Sequence, residues 1–357
     1  STMAGMLSAG AIDRAVSTMT SGVKALAQLP GQLLNARMEI SKSRAELLHA
    51  GLSRYEADLF ERDAMRISNT YGGITSEAFM KAAYEMQSSI PEATRKAKSR
   101  MAELALQTAQ TTSSAADDMA KLFAKAVHSL RVVGGSEDAI IGRMESLAGR
   151  IKAAVDVGVF RGPDILESLK ESIPVWLQKG GTDEEILGLN TFLMTQGFAP
   201  STTGVYAREM AQRLPKAIAA SEMARRIYEK TGKADDVFKF VDHPAKFKAQ
   251  LHRIEMEMDK QGLFKAGPTK MLDAYRQNLE KLPNVAADAL RQKYTHEHLD
   301  PGLLAIFGGW EKYLKMVDDV RRGDYSSVIA ALRARQDELS TSSELLTERL
   351  RNLAKTL

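Results

Sequence analysis

Residues 181–214, GTDEEILGLNTFLMTQGFAPSTTGVYAREMAQRL, decide the fold expected for this chain. Thr182 and Glu185 have the spacing of a capping box, in which a hydroxyl and a carboxylate satisfy the free amides at a helix start. The apolar run that follows is interrupted at Gly197-Phe198-Ala199-Pro200, because glycine and proline favour turns. Residues 186–207 are therefore predicted to form two buried amphipathic pieces joined by this turn.

The same alternation of short helices and small-residue junctions extends towards the N-terminus. Residues 71–86 read YGGITSEAFMKAAYEM and residues 111–127 read TTSSAADDMAKLFAKAV, with apolar side chains at helical spacing after each junction. Ser53 and Glu56 match a second capping box. No alternating run of useful length predicts a β-strand. The expected fold is all-α, a multi-helix bundle of short helices.

Three regions are expected along the chain. An N-terminal helical arm is predicted over residues 1–52, where a loosely amphipathic pattern is interrupted at Leu29-Pro30-Gly31. A helical core follows over residues 53–220, and Pro215 is expected to separate two helices near its end. A C-terminal helical region with longer polar faces covers residues 221–357, and its last helix is predicted to begin at Thr341-Ser342-Ser343-Glu344.

The composition suits helices packed on helices. The chain has 357 residues, of which 44% are hydrophobic and only 6% aromatic, while methionine occurs 17 times. A core of Ala, Leu, Ile and Met side chains is typical of helical bundles. The chain has no cysteine, which excludes disulfides, thiolate nucleophiles and cysteine-containing metal sites. The formal net charge of +4 is too close to balance to make nucleic acid the expected main partner.

Several groups of polar residues look reactive but have simpler explanations. His296-Glu297-His298 with Asp300 has a ligand-like composition, yet residues two apart on a helix diverge and cannot both reach one metal ion. Asp242-His243-Pro244 fits a structural turn. The carboxylate pairs Glu184-Glu185 and Asp235-Asp236 stand at predicted helix starts, where the helix dipole favours negative charge. The sequence thus indicates no catalytic, cofactor-binding or metal site, and no enzyme is expected.

Three phenylalanines stand among lysines near the middle of the C-terminal region. Phe238, Phe240 and Phe247 among Lys239, Lys246 and Lys248 would suit stacking on single-stranded nucleic acid. Core aromatics next to lysine stems are the commoner pattern, because the stems cover apolar surface while the ammonium groups reach water. A core role is the first expectation here.

Both tryptophans stand in apolar neighbourhoods. These are Ile173-Pro174-Val175-Trp176 and Ile306-Phe307-Gly308-Gly309-Trp310. Buried anchors are the default expectation for such residues, and binding hot spots are the alternative. The second neighbourhood is the better docking candidate, since its glycine pair leaves the indole beside exposed backbone. The candidate partner-binding surface consists of Phe307, Trp310 and Trp176.

In the order of its segments and junctions, the stretch 72–214 resembles the helical core domain of bacteriophage and prophage tail tape measure proteins. The likeness covers residues 70–220. It rests on an acidic-capped apolar helix over 182–194, the turn at 197–200, and a small-residue helix start at Ser201-Thr202-Thr203-Gly204. A weaker likeness to the amphipathic segment that follows that core lies over residues 343–354.

Tape measure proteins are long, mostly helical polypeptides that fill the tail lumen during assembly and set tail length. The resemblance implies a structural virion protein that acts in tail assembly and tail length determination through helix–helix contacts. Its partners would be tail chaperones, tail tube or initiator proteins, and further copies of itself. Its location would be the phage tail, or the host cytoplasm during assembly.

The resemblance also implies a part of a ruler rather than a whole one. Long coiled-coil repeats, hydrophobic spans and peptidoglycan hydrolase modules often found in such proteins do not occur in this sequence. A helical ruler adds about 1.5 Å per residue, so length control needs long uninterrupted helices. The many Gly and Pro breaks of this chain instead predict a compact folded part of such a protein, which does not measure length by itself.

Two other classes of function stay open. A pore-forming or membrane-inserting helical protein would need a continuous apolar hairpin, and residues 186–207, which contain no charged side chain, are its best candidate. Asn190, Gln196 and Pro200 make this stretch a poor spanning helix, so membrane contact is not indicated. A hydrolase-associated structural domain would need a carboxylate or histidine site assembled between helices.

Overall fold

The structure is a computed structural model that describes residues 37–132, 136–158, 160–295 and 299–340. These ranges contain sixteen α-helices and no strand, which confirms the all-α multi-helix prediction. Two short 3-10 helices also occur, at Pro244–Phe247 and Leu263–Lys265. The α-helices are α1 37–49, α2 Arg54–Thr70, α3 Ser76–Ser89, α4 Arg95–Thr111, α5 Ala116–Val132, α6 Glu137–Gly158, α7 Gly162–Gln178, α8 Asp183–Thr195, α9 Pro200–Thr231, α10 Ala234–Asp242, α11 Lys248–Lys260, α12 Gly267–Glu280, α13 Asn284–Thr295, α14 Asp300–Gly308, α15 Trp310–Arg321 and α16 Tyr325–Ser340.

The chain forms two compact units. The first joins residues 1–84 with residues 335–357, of which 37–84 and 335–340 are described, and the second consists of Glu85–Ala334. The sequence pattern suggested divisions at residues 52 and 220 instead. Residue 220 lies inside α9, which runs without interruption from Pro200 to Thr231. The compact units therefore have limits that local sequence patterns do not mark.

In the first unit, the junction between α1 and α2 follows the sequence prediction. The capping box is confirmed: the Ser53 amide donates to Glu56 Oε2 at 3.0 Å, and the Glu56 amide donates to Ser53 Oγ at 3.2 Å. Arg44 Nε of α1 donates to Asp58 Oδ1 of α2 at 3.1 Å, and Leu47 is fully buried. The rest of the predicted arm, including its expected break at residues 29–31, lies outside the described residues.

The second unit is arranged around α9. This helix packs against α7, α8, α10, α11, α12 and α13. The break expected at Pro215 is wrong, since Pro215 lies inside the continuous helix. Proline removes one backbone donor from a helix. Because most helical stability comes from tertiary packing, the surrounding helices hold α9 together through that loss.

Two helix contacts in the second unit require glycine because the backbones meet. A Cβ atom on Gly188 of α8 would lie 2.8 Å from the Cα atom of Val317 in α15. A Cβ atom on Gly204 of α9 would lie 2.6 Å from the carbonyl oxygen of Ser168 in α7. No ordinary side chain fits at such separations. Glycine thus sets the close approach of α8 to α15 and of α7 to α9.

The decisive stretch of sequence folds as predicted. Helices α8 and α9 are separated by a turn in which Gly197 has a φ of 90°, a left-handed conformation that glycine adopts at little cost. The Thr182 amide donates to Glu185 Oε2 at 3.1 Å, which confirms the capping box predicted at the start of α8. Every residue from Ile186 to Met194 is buried, so this helix forms part of the core of its unit.

Candidate functional site

The segment where α14 meets α15 carries the partly exposed aromatic residues expected from the sequence. Leu304 is 47% exposed, and Phe307 and Trp310 are half-buried. We call these three residues the aromatic corner. Gly309, between the two helices, has φ −114° and ψ 29°, which breaks the helical path. A Cβ atom there would lie 2.8 Å from Phe192 Cζ, so glycine lets the corner sit directly on α8.

The indole of Trp310 is held by its neighbours. The guanidinium carbon of Arg276 lies 4.9 Å from the centre of the Trp310 ring, a cation–π arrangement. The ring centres of Trp310 and Tyr313 are 5.3 Å apart, and those of Phe307 and Tyr275 are 6.0 Å apart. The aromatic side chains of the corner are thus fixed before any partner arrives, which lowers the entropic cost of binding.

Two buried phenols support the corner from beneath. Tyr275 and Tyr313 are fully buried, and burial raises the pKa of both. The Tyr313 hydroxyl and Thr269 Oγ1 are 2.9 Å apart and share a hydrogen bond. The Tyr275 hydroxyl has no hydrogen-bond partner within the part of the chain that the structure describes. Both phenols therefore remain neutral well above physiological pH.

Trp176 lies elsewhere, in the core between α7 and α9. Its side chain is fully buried, and its indole Nε1 donates to the carbonyl oxygen of Ala207 at 2.8 Å. This placement corrects the inclusion of Trp176 in the candidate surface, because a fully buried indole cannot meet a partner without unfolding. The default expectation of a buried anchor describes Trp176, whereas Phe307 and Trp310 keep partial exposure.

A buried charge cluster is the feature that sequence reasoning missed. Glu184, one of the pair Glu184-Glu185 explained from the sequence by the helix dipole, and its neighbour Asp183 are only 8% and 4% exposed. Arg150 Nη1 of α6 lies 2.7 Å from Glu184 Oε2 and 3.4 Å from Asp183 Oδ2. Arg143 Nη2 lies 3.2 Å from Asp183 Oδ1, and Arg321 Nε of α15 lies 3.6 Å from Glu184 Oε1. The cluster joins α6, α8 and α15.

The electrostatics of the cluster favour a structural role. Burial raises the pKa of Asp183, while the charges of Arg143 and Arg150 oppose that shift. The two arginines are seven residues apart on α6 and so share a face, which is the one signal in the sequence that could have indicated a paired site. The carboxylates lie against guanidinium groups, so the buried charges are paired, while Glu184 Oε2 and Arg150 Nε have no hydrogen-bond partner among the described residues.

Of the remaining candidate groups, the structure describes Asp235, Asp236, His243 and Asp300. His243 caps the end of α10, and Asp235 and Asp236 lie in the first turn of that helix. Asp300 bonds to the Arg291 side chain. The residues His296-Glu297-His298 lie outside the described ranges. Among the described residues, no group of three or more His, Asp or Glu side chains could hold a metal ion.

The phenylalanine group divides between core and surface. Phe240 is fully buried and meets Phe247 edge-to-face, with ring centres 5.4 Å apart. Phe238 and Phe247 are half-buried. A row of exposed rings for stacking bases is therefore not formed by these three residues.

Compared with known protein families, with characterised proteins and with solved structures, the chain matches none of them. Within the described ranges, none of the helices combines the length and the apolar character needed to cross a membrane.

Proposed function

We propose that this chain is a helical assembly module of a phage tail, of the tape measure type, and that it acts through helix–helix contacts. The aromatic corner is the observation that carries the proposal. Its side chains combine partial exposure with fixed positions, as the central residues of protein interfaces do. The resemblance of residues 70–220 to the tape measure core supplies the biological setting, and it stays a prediction.

The helical arrangement supports the sequence resemblance. The acidic-capped apolar helix corresponds to α8, the glycine turn follows it, and the small-residue helix start opens α9. These elements lie in the interior of the second unit and hold it together. In the proposed function they form the scaffold, and the corner at the start of α15 forms the contact.

The partner proposed for the corner is a second copy of this chain. Arg276, which also pairs with Asp273 at 2.8 Å, lies over the Trp310 ring, and the next residue in the chain, Glu311, has an exposed side chain. A patch with both signs of charge around an apolar centre can pair with itself across a two-fold axis, since each cation then meets a carboxylate. Self-association is also the assembly step that the chain can perform without other tail proteins.

The test compares three proteins by light scattering and small-angle X-ray scattering at several concentrations. The wild-type chain is expected to form an oligomer. Leu304→Glu places a charge at the centre of the corner and is expected to yield a monomer, because burying an unpaired carboxylate is costly. Val285→Glu is the matched control, since Val285 is 69% exposed on α13, outside the corner.

The control should assemble like the wild type. Thermal unfolding of all three proteins should agree closely, because both substituted side chains are exposed. A wild-type chain that stays monomeric at every concentration would contradict the proposed self-contact. An oligomer that both glutamate variants leave intact would place the contact on another face.

A further inference from the structure

A basic groove lies in the second unit between α9, the 3-10 helix followed by α11, and α13. Its volume is about 600 Å³, within the range of small-molecule sites. Four cationic side chains from three helices line it, whereas Glu255 is the only carboxylate among its lining residues. The residues that carry the argument are Arg213, Lys216, Lys248, Lys293, Tyr294 and Glu255.

The cations of this groove are largely uncompensated. Lys216, Lys248 and Lys293 are exposed, and none of them forms an ion pair within the described ranges. Arg213 pairs with Glu209 at 3.2 Å. Elsewhere on α9 the pattern differs, because Arg225 reaches carboxylates at 2.6 and 2.5 Å. The groove therefore keeps a local positive potential that the balanced charge of the whole chain conceals.

Tyr294, one of the residues that line the groove, packs on an aromatic side chain and has an unpartnered hydroxyl. The ring of Tyr294 stacks on buried Phe240, with ring centres 6.3 Å apart and planes inclined by 15°. The phenol oxygen is buried and has no hydrogen-bond partner among the described residues. Burial, together with the nearby charge of Glu255, raises the pKa of Tyr294, so the hydroxyl keeps its proton at neutral pH. A ligand atom that accepts a hydrogen bond from this hydroxyl would satisfy it.

We propose that this groove binds a small, multiply charged anion of the phosphate class, as a free pyrophosphate group or as part of a nucleotide. Lysine ammonium groups and an arginine suit phosphate oxygens, and charge-assisted hydrogen bonds are the strong ones. The limited volume favours a compact anion over a long polymer. The inference is independent of the proposed assembly function, because it uses a different surface.

A second groove on the same unit provides the control. Its volume is about 420 Å³, and it is lined among others by Lys170 and Arg208. Two of its cations are compensated: Lys170 Nζ lies 2.7 Å from Glu167 Oε2, and Arg208 Nη1 lies 2.7 Å from Glu171 Oε2. Lys170→Ala thus removes a basic residue of a groove without removing an uncompensated charge.

The experiment is isothermal titration calorimetry of the full chain at low salt, with pyrophosphate and with ATP in separate titrations. Replacing both Lys248 and Lys293 by alanine should weaken binding by about a hundredfold, because each substitution removes a charge-assisted hydrogen bond that contributes roughly tenfold in affinity. Tyr294→Phe should weaken it by a smaller factor, about fivefold, because only the phenol donor is removed. Lys170→Ala should bind like the wild type.

The two titrations also separate the sources of the anion. Equal affinities for pyrophosphate and ATP would mean that the phosphates alone are recognised, and tighter ATP binding would add a nucleoside contact; both outcomes support the proposal. Three results would overturn it: no heat with either probe, equal reductions of affinity in Lys170→Ala and in the double variant, or binding of an oligothymidylate but of neither small anion. Unfolding midpoints confirm that each variant is folded.

Discussion

The regions around Trp176 and Trp310 start from similar sequences and end in different environments. Both indoles follow apolar runs, yet Trp176 is fully buried between α7 and α9 while Trp310 is half-buried at the start of α15. Trp176 donates its indole hydrogen to the backbone of Ala207, whereas Trp310 is covered by a guanidinium group. An apolar neighbourhood in the sequence therefore does not decide whether a tryptophan side chain is buried. The helix that packs against that neighbourhood decides it.

The comparison also separates two uses of an aromatic residue. In the α7–α9 region, a large side chain fills the core and glycine lets the backbones meet at Gly204. At the aromatic corner, glycine lets the chain turn, and the indole lies on the surface against Arg276. The first arrangement stabilises the fold, and the second presents a rigid surface.

The largest expected effect is the difference between the two tryptophan-to-alanine variants. Trp176→Ala should destabilise the protein by about 3–5 kcal/mol, because it opens a cavity in the core. Trp310→Ala should cost about 1–2 kcal/mol, since it removes a partly exposed ring and its cation–π interaction. Urea unfolding measures both values. Equal destabilisation would mean that the two regions are not distinct.

Gly204→Ala should have the next largest effect. The added methyl group would meet the carbonyl oxygen of Ser168 at 2.6 Å, so α7 and α9 must separate, at about 1–3 kcal/mol. Gly142→Ala is the matched control, since it lies in α6 with no atom within 4 Å of its Cβ position and should stabilise by about 0.5–1 kcal/mol. Thermal unfolding gives the midpoint of each variant. Midpoints that shift in the same direction for both variants would contradict the close contact between α7 and α9.

Alkaline pH should weaken the aromatic corner through its buried phenols. Burial raises the pKa of Tyr313 above its unfolded value of about 10. Its contribution to stability is therefore complete below pH 10 and is lost as pH rises towards the folded pKa, by at most about 1.4 kcal/mol per pH unit.

Stability curves from pH 9 to pH 12 test this expectation. Wild-type stability should fall more steeply than that of Tyr313→Phe, which has no phenol proton to lose. Tyr55→Phe removes a phenol that is 71% exposed and should keep the wild-type slope. Parallel curves for the wild type and Tyr313→Phe would show that this phenol is accessible in the folded protein.

The smallest effect is expected for Arg276→Lys. Lysine keeps the positive charge but lacks the planar group above the Trp310 ring, so stability should fall by about 0.5–1 kcal/mol. The tryptophan emission should also shift, because the indole becomes more accessible to water. Arg225→Lys, which alters ion pairs without an aromatic neighbour, should leave the emission unchanged. An unchanged emission spectrum for Arg276→Lys would show that the Arg276 guanidinium does not interact with the Trp310 ring.

Local features of the fold could be predicted from the sequence because their causes are local. The capping boxes at Ser53 and Thr182 and the turn at Gly197 each depend on residues within a few positions of one another. The continuity of α9 through Pro215 could not be predicted, since it depends on packing by other helices. The buried position of Trp176 has the same kind of cause.

Surface features divide in the same way, into those with local causes in the sequence and those that depend on helix packing. Phe307 and Trp310 could be identified because they stand close together in the sequence. The charge cluster joins Asp183 to Arg150 across 33 positions, and no local pattern marks that pairing. The basic groove draws its lysines from three helices, and only Lys248 lies near the phenylalanines that the sequence singled out. Helix packing brings these side chains together.

The length of α9 also constrains how the second unit is synthesised. This helix of 32 residues extends about 48 Å, and α7 and α8 before it and α10 to α13 after it all rest on it. On the ribosome, α7 and α8 must wait for residues 200–231 to emerge before their apolar faces are covered. A nascent chain halted before α9 would therefore leave exposed the faces of α7 and α8 that this helix covers, while the face of α8 that packs on α15 stays open until residues 310–321 follow.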